Sequence, residues 1–122
     1  MAYEIKGQVF GNEVAAGDLS AKKYYLVEMT STGINLCGDG EECLGVLQAT
    51  AASGDICEVM VTGISKASAG TSLTKGLLVA SDTNGQVVAA ASGDHILGWT
   101  LDAVSNAGEL VTVLIDKQGR NA

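Results

Sequence analysis

His95, in the run Ser92-Gly93-Asp94-His95-Ile96, is the only histidine in a chain of 122 residues. A general base oriented by a neighbouring carboxylate is the first chemistry this pair suggests. Neighbours along a strand point to opposite faces, so Asp94 is badly placed to orient the His95 ring. An exposed loop histidine is the expectation. Asp39, Glu41 and Glu42 gather acid in a glycine-rich stretch, but without the alternating ligand spacing and closing glutamate of a calcium loop. Residues 69–76, Ala-Gly-Thr-Ser-Leu-Thr-Lys-Gly, hold the ingredients of a phosphate loop in the wrong order, because the lysine precedes the glycine and a strand follows. Cys37, Cys43 and Cys57 are odd in number and lack the CxxC spacing of zinc ribbons, so free thiols are expected. Trp99, directly after Gly98, reads as a core or subunit-interface anchor rather than a stacking platform for a ligand. The inventory implies no catalytic residue, no metal and no cofactor.

Charge narrows the partners. Fourteen acidic against seven basic residues give a net charge of −7. Between Lys23 and Lys66 lie Glu28, Asp39, Glu41, Glu42, Asp55 and Glu58 with no basic residue among them, and the single arginine is Arg120. Nucleic-acid binding by counterion release needs a basic patch, and anionic membranes need one too. Both are disfavoured, and a solubilising acidic face is the simple reading. No apolar run approaches the roughly 18 residues that span a bilayer. The first residues lack the order of a signal peptide, which makes a reducing cytoplasm the expected place of synthesis.

The elements that would position these residues come as a repeat. Residues 9–61 align with residues 61–115. Ala16-Gly17 falls on Ala69-Gly70, Lys23 through Val27 on Lys75 through Val79, and Gly33 on Gly85. Gly40 falls on Gly93, Leu44-Gly45 on Leu97-Gly98, Gly54-Asp55 on Gly108-Glu109, and Val59 on Val113. Each copy alternates short apolar runs with polar turns, of which Asn84-Gly85 is a strong hairpin signal. In residues 56–61, Ile56, Glu58 and Met60 face one way and Cys57, Val59 and Val61 the other. Leu110 through Ile115 is apolar enough to be buried on both faces. No window carries a helical stripe; at most a short turn is expected near Ser20 to Lys23 or Ser72 to Lys75. The expectation is all-β: two sequence-similar halves of about four strands each, forming a small closed or clipped β-barrel. Residues 11–116 form one β domain, and residues 117–122 a tail. Residues 1–10, with Tyr3, Ile5, Val9 and Phe10 in an alternating pattern, are either an N-terminal arm or the first strand.

Several strings carry a resemblance. They are Leu44-Gly45-Val46-Leu47, Gly54-Asp55-Ile56-Cys57-Glu58-Val59-Met60-Val61-Thr62-Gly63, residues 69–79, Asn84-Gly85-Gln86-Val87-Val88-Ala89-Ala90, Ile96-Leu97-Gly98-Trp99-Thr100-Leu101-Asp102-Ala103 and residues 108–115. Over residues 15–116 the pattern resembles the capsid cement, or head decoration, proteins of tailed bacteriophages. The resemblance implies a β-clip or β-tulip fold. It implies homotrimers at the three-fold positions of an expanded head, clamping the major capsid protein on the outer virion surface after synthesis in the bacterial cytoplasm. It also implies an N-terminal arm that adds a strand to the shell protein, with Tyr3, Ile5, Val9 and Phe10 as its anchors. The other reading is a β-barrel binding module of a phage tail or spike accessory protein, which needs a concave pocket that five aromatic residues furnish poorly.

Overall fold

Alternating β-branched and aliphatic residues favour half-buried strands, and glycine and asparagine at the joints favour tight reversals. The computed structural model describes residues 2–5, 7–117 and 121. These form ten strands and, among the described residues, no helix. The first half contains β1 (Val9–Val14), β2 (Leu26–Thr30), β3 (Gly33–Leu36), β4 (Gly45–Leu47) and β5 (Ile56–Met60). The second contains β6 (Gly63–Ser68), β7 (Leu78–Ser81), β8 (Val87–Ala89), β9 (Gly98–Thr100) and β10 (Leu110–Ile115). The sheet orders are β1-β5-β4-β2-β3 and β6-β10-β9-β7-β8, one topology used twice. Neighbouring strands pair antiparallel. Each sheet is clipped shut by one parallel bridge, Ala15 to Ile34 and Ala69 to Val87.

The repeat therefore has five strands per copy, not four. The fifth is the opening strand, β1 or β6, whose sequence is the least alike between copies. Two details of the alignment also change. Ala15-Ala16, rather than Ala16-Gly17, stands where Ala69-Gly70 stands: the amides of Ala16 and Gly70 donate to the carbonyls of Ile34 and Val87 at 2.7 and 2.8 Å. A register shift in β1 between Phe10 and Glu13, absent from β6, takes up one extra residue. The second hairpin turn is one residue longer than the first, so Gly33 lines up with Gln86 and not with Gly85.

Inward residues of the first half, Val27, Ile34, Leu47, Cys57 and Val59 with Leu19 and Ala51, form one core. The second core contains Val79, Val87, Val111 and Val113 of the second half. It also takes in Leu26, Val46 and Met60, from the opposite face of the first sheet. The recurring Leu-Gly pair has a steric cause. A Cβ on Gly45 would collide with the Met60 carbonyl, and one on Gly98 with the Leu114 carbonyl.

Tyr24 and Gly76 are also equivalent, their amides donating to Leu47 and Thr100 at 2.7 and 3.0 Å. Both are left-handed, with φ of 70° and 83°. Tyrosine tolerates this because its carbonyl accepts from Ser68 N–H at 2.8 Å and its ring packs against the second core. The ammonium groups of Lys23 and Lys66 lie 4.9 and 5.8 Å from the ring centre.

Candidate functional site

The N-terminal segment, residues 2–5, runs across to the second half. Ile5 pairs antiparallel with Ile64, their amides and carbonyls bonded reciprocally at 3.0 and 3.1 Å. The Tyr3 amide donates to Thr112 Oγ1 at 3.0 Å. Tyr24 Oη meets Glu4 Oε1 at 3.5 Å, the outer limit of a hydrogen bond. The segment leaves Tyr3 and Ile5 45% and 59% exposed. Val9 and Phe10 are placed differently: they belong to β1, opposite Met60 and Val59, and are half-buried. Structure thus divides the four predicted anchors into two on a segment paired to the second half and two in strand β1. An open hollow of about 280 Å³ between the segment and the first half is lined by Glu4, Val9, Gln48, Glu58 and Met60. Its two carboxylates disfavour an anionic occupant.

Trp99 is half-buried in the middle of a cross-strand row. Leu78 pairs with Trp99, Trp99 with Leu114, Leu114 with Ile64, and Ile64 with Ile5. Cross-strand partners on one face pack side by side, so the row is a continuous apolar band. Its counterpart in the first half is Leu26, Val46, Met60 and Val9.

His95 is not an exposed loop residue. It is half-buried, and its Nδ1 and backbone amide both bond the Gly40 carbonyl, at 3.1 and 3.0 Å. It therefore ties a loop of the second half to a loop of the first. Asp94 is engaged elsewhere, accepting from the Ala91 amide at 2.9 Å. The three thiols are free and buried. Cys37 and Cys43 both point to the Glu41 carbonyl, at 3.5 and 3.7 Å. Hydrogen bonding with Cys37, then burial, pushes the Cys43 thiol far above its ordinary pKa. Burial also raises Cys57. Thiols held protonated are poor nucleophiles.

In the acidic stretch, Asp39, Glu41 and Glu42 are exposed. Glu28 is raised above the usual carboxylate range, chiefly by burial and next by Glu41. The Lys117 ammonium reaches back to the carbonyls of Cys43 and Leu44, and burial lowers its pKa. Sequence reading missed this link between the chain's far end and the first half, since one lysine near a terminus carries no signal. Most of the tail, with Arg120, lies outside the described residues.

A family model described as phage cement protein matches residues 7–115. Among solved structures, the chain is similar to the N base of the head fibre of bacteriophage phi29, with a TM-score of 0.75 at 15% identity. That match covers 94% of this chain and 100% of the other. At such identity the likeness speaks for the fold. No curated protein matches the sequence.

Proposed function

Because the chain belongs to the phage cement protein family, whose role in the capsid is structural, we propose that it decorates the outside of the expanded head as a homotrimer bound to the major capsid protein. The observation that carries this reading is the family match across almost the whole β body. The geometry supports it. A compact body with an N-terminal segment bearing exposed Tyr3 and Ile5 suits strand addition to an exposed edge. Val9 and Phe10, fixed in β1, anchor the root of that segment. Many such contacts repeated over a shell give avidity without strong single-site affinity. The acidic remainder faces solvent.

The test is co-sedimentation with undecorated, expanded heads of the source phage, comparing the full chain with one lacking residues 2–5. This deletion spares β1, and an unchanged far-UV spectrum checks that the shortened chain folds. The full chain is expected to saturate at three copies per three-fold position, and the shortened chain to stay in the supernatant. A full chain that does not bind intact expanded heads overturns the proposal in favour of a tail or spike accessory module. Saturable binding that survives the deletion keeps the function and moves the contact to the barrel.

A further inference from the structure

Cys37 and Cys43 stand at the two ends of one loop between β3 and β4, with Gly38-Asp39-Gly40-Glu41-Glu42 between them. A turn closed by the Glu41 amide on the Gly38 carbonyl, at 3.2 Å, folds the loop back on itself. Gly40, left-handed at φ 66°, lets it reverse. Both thiols then reach the same atom. Each donates to the Glu41 carbonyl, at 3.5 and 3.7 Å, and the two also bond each other. Their sulfurs are neighbours across a closed loop, and both are free. By strand register, the second half has Ala90 and Ile96 at these positions. An apolar pair serves the packing there, and only the first half carries two thiols at this place.

The loop is also the clamp by which the first half grips the second. The Gly40 amide donates to the Ser81 carbonyl at 2.9 Å, and the Gly40 carbonyl accepts from the His95 amide at 3.0 Å. Ser81 Oγ donates to the Cys37 carbonyl at 3.3 Å, and the Lys117 ammonium to that of Cys43 at 3.2 Å. Whatever fixes the ends of the loop fixes these contacts. A small molecule can enter from one side. Cys43 is 6% exposed against 1% for Cys37, and it lines an open hollow of about 260 Å³ with Met29, Glu42, Leu44 and Lys117.

We propose that this thiol pair is an oxidation site, where a peroxide closes Cys37 and Cys43 into a disulfide that staples the clamp between the halves. Hydrogen peroxide converts the Cys43 thiol to a sulfenic acid and leaves as water. The Cys37 sulfur then displaces the hydroxyl, forming the S–S bond and releasing a second water. Two thiols give up two protons and two electrons, and one peroxide becomes two waters. The bond with Cys37, and burial, hold the Cys43 thiol protonated, so closure is slow. Slowness suits a chain made in a reducing cytoplasm, where the pair stays open, and released by lysis into an oxidising medium, where it has time to close. That timing rests on the cement reading; the bond does not.

The experiment treats the full chain with hydrogen peroxide, removes the excess with catalase, then unfolds the protein in urea and alkylates it. The wild type is expected to go from three alkylated cysteines to one, Cys57, with Cys37 and Cys43 joined in a fragment lighter by two hydrogens. Dithiothreitol is expected to restore all three. Oxidation is expected to raise the Tm of the wild type by about 5 °C, reversibly, and to give Cys43→Ala no such rise. Three alkylated cysteines after hours in millimolar peroxide overturn the proposal. So does Cys43 carried on to sulfinic acid while Cys37 stays free. A bond that forms without raising Tm overturns it as well, because the clamp is then not stapled. A protein that closes the bond and raises its Tm, yet does not sediment with expanded heads, rejects the cement reading alone.

Discussion

Leu26, Val46 and Met60 in the first half and Leu78, Trp99 and Leu114 in the second hold the same register positions in the same sheet order. The first set is dry and the second is not. The difference follows from coverage: the first set joins the core of the second half, whereas the second set lies on that half's other face and stays half-buried. It reaches the polar residues too. Among the described residues, the buried hydroxyls, Ser65, Ser68, Ser81, Thr100 and Thr112, lie in the second half. Each has a partner: Gln48 for Ser65, Gln86 for Ser68, the Cys37 carbonyl for Ser81, the Thr74 carbonyl for Thr100 and Asp102 for Thr112. Ser65 and Ser81 reach into the first half, so the second half docks through hydrogen bonds as well as apolar area.

The sharpest way to break the comparison is to truncate equivalent leucines. Leu26→Ala is expected to cost about 2–5 kcal/mol, because it opens a cavity in a closed interface. Leu78→Ala is expected to cost about 1 kcal/mol or less in the monomer, because its neighbourhood is already open to water. Urea unfolding of both variants checks this, and equal losses would mean that the rows are not differently covered.

A smaller effect tests the left-handed pair. Gly76→Ala is expected to destabilise by about 1–2 kcal/mol. The new Cβ meets no atom within 4 Å, so any loss comes from the backbone alone. A neutral result in thermal unfolding would show that Gly76 is not held left-handed as Tyr24 is.

The smallest effect concerns Glu28, which stands where the second half has Ala80. Its folded pKa is raised above the ordinary glutamate value of 4.5, so the folded state holds the proton more tightly than the unfolded one. Ionised Glu28 therefore weakens the fold at neutral pH, and this penalty fades as pH falls from the raised pKa to 4.5. Glu28→Gln keeps an acceptor for the Gly38 amide, bonded at 3.3 Å. It is expected to raise Tm slightly at pH 7 and to leave it unchanged below pH 4.5. An equal gain at both pH values would assign the effect to packing.

Much of this was legible in the sequence because glycines and hairpin turns mark joints. Leu44-Gly45 and Leu97-Gly98 align since each glycine passes under a carbonyl of the next strand. Residues 56–60 alternate since one side faces the first core and the other does not. The opening strands were harder to read. β1 and β6 share topology but not side chains, because β6 packs into the contact between the halves. His95 looked like a loop residue because its partner is a carbonyl in the other half, and backbone groups leave no trace in composition. Trp99, expected as a core or subunit-interface anchor, lies half-buried in a cross-strand row. That its row is uncovered became apparent only by comparing two buried surfaces, which no single strand encodes.

The carbonyls of Cys43 and Leu44 wait for Lys117, and the Leu26 row waits for β6 and the turn after β7. During synthesis the first half leaves the ribosome well before either. At about 5–20 residues per second, its apolar flank stays wet for about 3–10 s. Over that interval the nascent chain carries the same hazard on its first half that the finished molecule keeps on its second. In a cell filling with copies of one protein, neighbouring nascent chains would compete with the chain's own second half for that flank.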